Sequence, residues 1–555
     1  MVTSANAEGL FQGPGGEGLR GRAVLAASGM VATAHPLASA AGLAVLQGGG
    51  NAMDAAIAAS AVCNVVLPQM CGLGGDTFFL YHEAESGKVW GLNSSGPAPA
   101  AASREEFAAR FGGLMPFTGP LSIGVPGAVD AYAVAAERFA TRPLHELFAR
   151  AIDYADHGHP LTPGTAAMMA ESAEEFAKYP SSAAIFLPGG RPPAAGTRFA
   201  NPALARSLWI VAQRGRAAFQ EGELGERIVA GLRDLGGLFT MDDWAGHRAD
   251  LYQPPIATTY RGKTIYQTTL PSQGHILLEE LNIVAGDDLA ALGHNSAAAI
   301  HLLVEAKKLA FADRLAYSGD PRFVDVPLDQ LLSKEFAARR RAEIDPERAV
   351  EAARPGALPE RVGDTTYLCT VDRWGNACSW ITSLSAAFGS CVVAGDTGIL
   401  LNNRVGRGFT LEEGHPNALA GGKRTMHTLN CFLVTEGDRP WLVGGTPGGD
   451  GQPQWNLQML TAMIDHGLGP QEAIEAPRWT SFPGTDPINA HHPFELRLEA
   501  RFPAQIAAEL AARGHRVKQV GPWSGGGAAQ LIAIGADGVL RGSSDPRAEG
   551  QALGF

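Results

Sequence analysis

The 555-residue sequence predicts an α/β layered fold. Residues 39–66 are rich in Ala and have helical spacing, and residues 297–316 show a longer amphipathic helical pattern. From residue 365 onward, short runs that are typical of strands dominate the chain. A mixture of this kind is stable when helices flank stacked sheets, because each layer then buries its apolar face against the next.

The other elements follow in chain order. Three consecutive glycines at 48–50 divide the first Ala-rich stretch into two helices. A strand is predicted at 77–81, with 88–92 as its partner. Further helices are predicted at 144–157, 165–178, 206–235 (with breaks), 454–465 and 503–513.

Composition argues against several classes of partner. The net charge of −12 disfavours nucleic acid and anionic membranes. No apolar run approaches the roughly 20 residues that cross a bilayer. The first 22 residues lack the basic and apolar regions of a secretory signal, so we expect a flexible tail at 1–22 and a cytoplasmic protein. The six cysteines have no metal-binding spacing, which predicts reduced, buried thiols.

The sequence around Thr365 predicts a nucleophile at the start of a strand. Asp364 precedes it, and the runs 366–371 and 377–383 are typical of a β-hairpin. If the chain is cut before Thr365, its hydroxyl can attack while its own α-amine acts as the base. That amine has a pKa of roughly 7.7–8.0, so part of it is neutral at physiological pH. The β propensity of Thr explains the same local pattern, and both interpretations stay open.

Several further blocks, in order, resemble the γ-glutamyltransferase family of N-terminal-nucleophile hydrolases. They lie at 48–56, 72–76, 124–127, 395–403, 423–428, 445–451 and 544–547, and the resemblance runs from about residue 27 to 555. It implies a four-layer αββα sandwich, one composite domain made from a large subunit (23–364) and a small subunit (365–555). The resemblance implies that cleavage falls between Asp364 and Thr365. The subunits would then stay associated, with a dimer of heterodimers as one possible assembly.

The resemblance also assigns catalytic roles. Thr365 is the implied nucleophile, and Ser383 is a nearby hydroxyl that helps to orient it. Gly448 and Gly449 correspond to paired glycines whose backbone N–H groups form the oxyanion hole. Glycine suits this role because the missing Cβ lets the backbone approach the developing charge. A plain turn is the alternative for this pair. The mechanism implies no cofactor and no metal.

The implied substrate-binding positions depart from the family pattern. The family holds the carboxylate of a γ-glutamyl group with an Arg and a pair of serines. It uses an Asn in the second strand, and it holds the ammonium with an acidic or amide residue and an Asp. Here the Arg position is Ser95, and the pair of serines falls on His427 and Thr428. The Asn falls on Ser385, the acidic or amide residue on Arg404, and the Asp on Arg407.

These departures disfavour a γ-glutamyl substrate. An Arg placed 4 Å from an ammonium repels it by up to about 4 kcal/mol at an effective dielectric near 20. An acyl group that ends in a carboxylate and lacks the α-amine suits Arg404 and Arg407 better. The segments 426–430 and 446–454 look more like the oxamate amidohydrolase-like branch, which has relatives among cephalosporin (glutaryl) acylases. Alternatively, the two arginines face solvent or an internal acid, and His427 simply packs.

We therefore expect a self-processing threonine amidohydrolase that acts on a small amide with an acidic acyl group, oxamate-like or glutaryl-like. One alternative is a γ-glutamyltransferase or glutathione hydrolase with a rearranged clamp, and another is an uncleaved binding protein. A nucleotide binder is disfavoured because Asn417 and Arg424 interrupt the only P-loop-like run. A serine hydrolase is disfavoured because the sequence has no G-x-S-x-G motif.

Overall fold

The computed structural model describes residues 20–350, 365–485 and 492–555, and two seven-stranded sheets form its centre. The strands are β1 (Val24–Ala26), β2 (Met30–Thr33), β3 (Asp76–Glu83), β4 (Lys88–Asn93), β5 (His159–Pro160), β6 (Arg198–Phe199), β7 (Asp250–Tyr252), β8 (Ile256–Tyr260), β9 (Lys263–Gln267), β10 (Thr366–Val371), β11 (Ala377–Ser383), β12 (Phe432–Glu436), β13 (Arg439–Gly445), β14 (Trp479–Phe482), β15 (Glu495–Glu499), β16 (Val517–Val520), β17 (Gln530–Ile534), β18 (Leu540–Ser544) and β19 (Gln551–Gly554).

Both large sheets are antiparallel throughout. Sheet I has the order β1-β18-β17-β13-β12-β9-β8, and sheet II has the order β19-β2-β10-β11-β3-β4-β7. The remaining strands form a small sheet, β14-β15-β16, and a two-stranded ribbon, β5-β6. The predicted pairing of 77–81 with 88–92 is confirmed as β3 and β4.

The described residues form 21 α-helices, several of which cover the outer faces of the large sheets. They are α1 (Pro36–Gln47), α2 (Ala52–Val66), α3 (Arg104–Phe111), α4 (Ala128–Phe139), α5 (Leu144–Leu147), α6 (Ala149–His157), α7 (Pro163–Glu171), α8 (Ala173–Phe176), α9 (Pro180–Phe186), α10 (Pro202–Arg216), α11 (Glu223–Asp234), α12 (Met241–Ala245), α13 (Gly274–Val284), α14 (Leu289–Leu292), α15 (Ala297–Tyr317), α16 (Leu328–Leu331), α17 (Lys334–Ala342), α18 (Arg404–Gly408), α19 (Gly451–Ile464), α20 (Pro470–Glu475) and α21 (Ala504–Ala512). Within the described ranges, none of them combines the length and apolar character needed to cross a membrane.

Three apolar clusters define four layers. One lies between the sheets and joins Tyr367 and Cys369 of β10 to Leu433 and Val443 of sheet I. A second covers the other face of sheet II, where Trp380 packs with residues of α1, α2, α4 and α10. The third joins β12 and β13 of sheet I to α13, α15 and α19. The order is helices, sheet II, sheet I, helices, which confirms the expected αββα sandwich.

The Ala-rich stretch divides into two helices at glycines 48–50 as predicted, but α1 begins at Pro36, before the predicted start at residue 39, because His35 caps it there. Asn51 accepts a hydrogen bond from the Asp54 N–H at 2.9 Å, and the Asp54 carboxylate accepts one from the Asn51 N–H at 2.8 Å. This capping box satisfies two N–H groups that would otherwise lack partners at the start of α2. The predicted helices at 144–157 and 165–178 are each interrupted, at Phe148 and at Ser172.

The expected tail at 1–22 is described only from Arg20. The backbone N–H groups of Arg20 and Gly21 each donate to the Glu475 carboxylate at 2.6 Å. The Arg20 guanidinium lies 4.4 Å from the centre of the Trp523 ring. The rest of the tail lies outside the described residues, as does Asp364.

All six cysteines are reduced and buried, as the sequence predicts. Burial raises the pKa of Cys63, Cys391 and Cys431 to about 12. Because the thiolate is the reactive form, these three thiols are inert at neutral pH.

Trp380 tests the cluster beneath sheet II. It is fully buried, and its ring stacks on Phe79 and Tyr132 with centroids 5.4 and 5.6 Å away. We expect Trp380→Ala to lower the free energy of unfolding by about 3–5 kcal/mol, as measured by chemical denaturation. Trp374 is 53% exposed, and Trp374→Ala is the control, with an expected change of about 0.5 kcal/mol or less. Equal effects of the two substitutions would contradict the layer assignment.

Candidate active site

Two of the predicted catalytic residues, Thr365 and Ser383, meet Asp76 at one end of sheet II. Thr365 directly precedes β10, Ser383 ends β11 and Asp76 begins β3. The strand register places Ser383 opposite Asp76 and Thr366 opposite Thr382. Because neighbouring strands are antiparallel, the start of β10, the end of β11 and the start of β3 lie at the same end of sheet II.

Thr365 is buried, and its hydroxyl is held in one direction. The Thr365 Oγ1 hydroxyl donates to Ser383 Oγ at 3.3 Å. Ser383 Oγ also accepts the backbone N–H of Ser385 at 2.7 Å. Ser385 has a φ of 89°, a conformation that non-glycine residues rarely adopt and that is typical of functional sites. The Thr365 hydroxyl is therefore directed towards Ser383.

Two glycines of the 72–76 motif permit this close packing. A Cβ on Gly75 would lie 2.4 Å from the Ser383 carbonyl oxygen, and one on Gly74 would lie 2.2 Å from the Leu400 carbonyl oxygen. Any side chain at Gly75 would push the end of β11 away from β3. The motif therefore positions Ser383 beneath Thr365 through backbone contact.

The paired glycines lie in the same site. Gly448 has a φ of 125° and Gly449 a φ of 54°, and neither backbone N–H has an acceptor in the described part of the chain. A Cβ on Gly449 would lie 2.6 Å from Arg407 Nη2, and Arg407 Nη1 donates to the Ser385 carbonyl at 2.6 Å. Contacts thus run from Thr365 through residues 383, 385 and 407 to Gly449. Two N–H groups without acceptors have the chemistry of an oxyanion hole.

Asp76 joins two of the predicted substrate-binding residues. Its Oδ2 lies 3.4 Å from Arg404 Nε and accepts a hydrogen bond from His427 Nε2 at 3.0 Å. Burial acts to raise the pKa of Asp76, but the His427 hydrogen bond and the Arg404 charge outweigh it and lower this pKa. Of the alternatives for Arg404, the structure therefore shows contact with an internal acid.

His427 is a neutral hydrogen-bond donor. Burial, followed by the charge of Arg404, lowers the pKa of His427 to about 4. Its Nδ1 accepts the Leu429 N–H at 3.2 Å, so the proton resides on Nε2, which donates to Asp76. Its ring also packs on Phe78, with centroids 4.6 Å apart. The imidazole therefore both packs and donates, and the donation goes to an acid of the protein.

The remaining predicted binding residues differ in what they offer. The hydroxyl groups of Ser385 and Thr428 are buried and have no hydrogen-bond partner among the described residues. Ser95 is turned away from such a role, because its hydroxyl donates to Asn93 Oδ1 at 2.8 Å. Two polar groups of the site are therefore available to a ligand, and the Ser95 hydroxyl is occupied.

A cleft adjoins these residues. Its lining includes three arginines, Arg314, Arg404 and Arg407, together with Thr428 and Thr485. The three guanidinium groups make the cleft suited to an anion.

Sequence reasoning missed three residues here: Asp76, Gln273 and Arg314. Gln273 Nε2 donates to the carbonyls of Thr428 and Gly449 at 2.5 and 2.9 Å, which links the two binding loops. Gln273 lies in a loop, and no local pattern identifies it. Arg314 did have a signal, since it continues the buried stripe of α15 at helical spacing from Phe311.

One group with metal-ligand chemistry occurs among the described residues, namely His301, Glu305 and His515. The two imidazoles share a hydrogen bond of 2.8 Å, and Glu305 pairs with Lys308 at 2.7 Å. None of these residues lines the cleft. Each donor has a protein partner, and we assign no metal to them.

The sequence profile described as Gamma-glutamyltranspeptidase matches residues 38–555. The glutathione hydrolase-like YwrD proenzyme of Bacillus subtilis (strain 168) is 39% identical, over 96% of this chain and 100% of the relative. The oxamate amidohydrolase proenzyme of Klebsiella pneumoniae subsp. pneumoniae is 36% identical, over 95% and 98%. The crystal structure of a cephalosporin acylase from Bacillus halodurans superimposes with a TM-score of 0.89 and 36% identity, covering 98% of this chain and 99% of that one.

Buried histidines should make the protein less stable in mild acid. Burial lowers the pKa of His427 to about 4, whereas the unfolded side chain titrates near 6.5. Between these values only the unfolded state takes up the proton, so stability falls as the pH decreases from about 6.5 to about 4. Four other buried histidines and the half-buried His294 act in the same direction; the four are His35, His159, His275 and His515.

His427→Gln isolates one of these contributions, because its amide can still donate to Asp76. His427 should account for about 1.4 kcal/mol of the stability lost between pH 7.5 and pH 5.5. Denaturant unfolding at both pH values measures this loss. The variant should lose less than the wild type by about that amount, and an identical loss would show that His427 does not stay neutral in the folded protein.

Proposed function

The chain belongs to the gamma-glutamyltranspeptidase family, and we propose that it is a self-processing threonine amidohydrolase whose substrate is a small amide with a carboxylate-bearing acyl group. The observation that carries the proposal is the position of Thr365. Its hydroxyl lies 3.3 Å from Ser383 Oγ at the start of a buried strand, and contacts connect it to Gly449 and to the arginine-lined cleft.

Processing would use the same hydroxyl as turnover. Thr365 Oγ1 attacks the carbonyl carbon of Asp364, and the peptide bond breaks as an ester forms. The proton leaves the hydroxyl, and the α-nitrogen gains one to become an amine. Water then opens the ester, so that Asp364 ends in a carboxylate and Thr365 begins the small subunit with a free α-amine. The large and small subunits remain packed, because β10 pairs with β2 and β11 pairs with β3 across the cut.

In turnover, the α-amine takes the proton of the Thr365 hydroxyl, and the oxygen attacks the amide carbonyl of the substrate. The negative oxygen of the tetrahedral intermediate accepts hydrogen bonds from the N–H groups of Gly448 and Gly449. The α-ammonium returns the proton to the leaving nitrogen, and ammonia or an amine departs. Water then hydrolyses the acyl ester to release the acid and regenerate Thr365. Ser383 keeps the nucleophile oriented throughout.

The cleft supports an acidic acyl group. Arg407 is 4% exposed and lies between the Ser385 carbonyl and Gly449, where the acyl chain must enter. The unpartnered hydroxyls of Ser385 and Thr428 can donate to the same carboxylate. Arg404 and Arg407 both line the cleft, and Asp76 partly compensates the charge of Arg404. An oxamate-like or a glutaryl-like group has the required carboxylate.

One observation favours a second candidate, a γ-glutamyl hydrolase with a rearranged clamp. Asp76 is ionised and 1% exposed, and its Oδ1 has no hydrogen-bond partner among the described residues. This oxygen could accept a hydrogen bond from the α-ammonium of a substrate. The relative named glutathione hydrolase-like is in keeping with this activity. The two candidates differ only in whether the acyl group carries an α-amine.

Intact mass under denaturing conditions tests the nucleophile. We expect two fragments that meet between Asp364 and Thr365 for the wild type, and one full-length chain for Thr365→Ala. Thr365→Ser should still be cut, because it retains the hydroxyl. Ser379→Ala serves as the control, since its hydroxyl contacts Tyr367 within the sheets, and it should leave cutting intact. A single full-length wild-type mass after long incubation would support the uncleaved binding protein.

Two anilides with the same leaving group test the substrate class. Glutaryl p-nitroanilide and γ-glutamyl p-nitroanilide differ only in the α-amine, and we expect kcat/KM to be at least about tenfold higher for the glutaryl compound because Arg407 repels an ammonium. Release of ammonia from oxamate tests the shorter acyl group in the same way.

Asp76→Asn separates the two candidates further. If the protein is a γ-glutamyl hydrolase, this substitution should reduce turnover of γ-glutamyl p-nitroanilide more than turnover of the glutaryl compound. Efficient wild-type turnover of the γ-glutamyl anilide, combined with that selective loss, would replace our proposal with the γ-glutamyl hydrolase.

A further inference from the structure

We infer that Arg314 is a specificity-determining residue that binds the carboxylate of the acyl group through the Nε–Nη2 edge of its guanidinium. The inference rests on the proposed function and deepens it, because it names the group that recognises the acid. Arg314 lies near the end of α15, outside the hairpin that follows Thr365.

Arg314 is held firmly by one of its nitrogens. Nη1 donates to Gln273 Oε1 and lies 2.7 Å from Asp450 Oδ1. Gln273 in turn donates to the carbonyls of Thr428 and Gly449. The guanidinium plane is therefore fixed relative to both the binding loop and the paired glycines. Its Cζ also lies 5.6 Å from the centre of the Phe311 ring, on the same helix.

The other two nitrogens have nothing to bind in the described residues. Arg314 is 1% exposed, and neither Nε nor Nη2 has a hydrogen-bond partner there. These two N–H groups point in parallel from one edge of the guanidinium, which is the edge that binds a carboxylate through two hydrogen bonds. A buried charged donor without an acceptor is costly, and a carboxylate would relieve that cost.

Arg314 also lines the cleft beside Arg407 and Thr428. The Thr428 hydroxyl presents a donor to this cleft, since it has no partner among the described residues. A carboxylate that reached Arg314 would thus lie near two cations and a hydroxyl. The cleft offers this carboxylate site whether or not the acyl group carries an α-amine.

A purely positional role is the alternative for Arg314. By holding Asp450, which follows Gly449, the guanidinium could act only on the oxyanion loop. In that case its loss would slow the chemistry of every substrate equally and would leave discrimination for the carboxylate unchanged.

Three anilides with one chromophore separate these roles in the processed enzyme: glutaryl, γ-glutamyl and butyryl p-nitroanilide. The first two carry the carboxylate, and the third replaces it with hydrogen. Arg314→Lys keeps a charge but removes the two-donor edge. We expect it to raise KM for both carboxylate-bearing anilides by about tenfold or more, with kcat/KM for the butyryl anilide unchanged within about twofold. Arg227→Lys, at a surface ion pair with Asp396, is the matched control and should change none of these values.

The results distinguish failure of the proposed function from failure of the role inferred for Arg314. A preference of the wild type for γ-glutamyl over glutaryl anilide would overturn the proposed function but leave the Arg314 test intact, because both compounds carry the carboxylate. Equal loss of kcat for all three anilides, reproduced by Asp450→Asn, would show a positional role and overturn the inference. Calorimetric binding of glutarate and butyrate gives a readout without turnover. Arg314→Lys should weaken glutarate binding alone, and unchanged glutarate binding would also overturn the inference.

Discussion

The buried carboxylate of Asp76 is the charge on which the arrangement of the site depends. It begins β3 in sheet II, and its two partners come from separate later segments, Arg404 at the start of α18 and His427 before β12. A buried carboxylate is tolerated only with such partners, and removal of one partner typically costs about 3–5 kcal/mol. Because all three groups are nearly inaccessible to solvent, the fold is stable only when these segments meet. That requirement brings Arg404 and His427 to the end of sheet II where Thr365 lies.

Close backbone packing then converts this meeting of segments into a reactive geometry. Gly75 lets β3 approach the carbonyl of Ser383, and the register of β10, β11 and β3 holds Thr365 against Ser383. Strand ends within a sandwich move little, so the distance between the two hydroxyls is set by the sheet and not by a loop. Gly449 follows β13 of sheet I and lies against Arg407, so the site contains residues from both sheets.

Sequence could predict whatever is local in the chain. The hairpin at 366–371 and 377–383 has the predicted bounds, because β propensity and the intervening turn agree there. The layer order followed from family resemblance. The contacts of Asp76 could not be predicted, since it lies 351 positions from His427 and no pattern links the two. Arg314 differs, because the sequence predicts only an ordinary amphipathic helix at 297–316, although the spacing of Arg314 from Phe311 places a charge on the buried face.

The pairing of arginines with acids changes how selectivity should be understood in this cleft. From sequence alone, Arg404 and Arg407 suggest a bare positive site that attracts anions and repels ammonium groups. In the folded chain, Asp76 lies against Arg404 and Asp450 lies against Arg314, so part of the charge is compensated within the protein. Such pairs let the cleft exist without a ligand, because no large uncompensated charge is buried. Discrimination then depends on where donors remain and in which direction they point. A guanidinium edge recognises the planar shape of a carboxylate, which net charge alone cannot do.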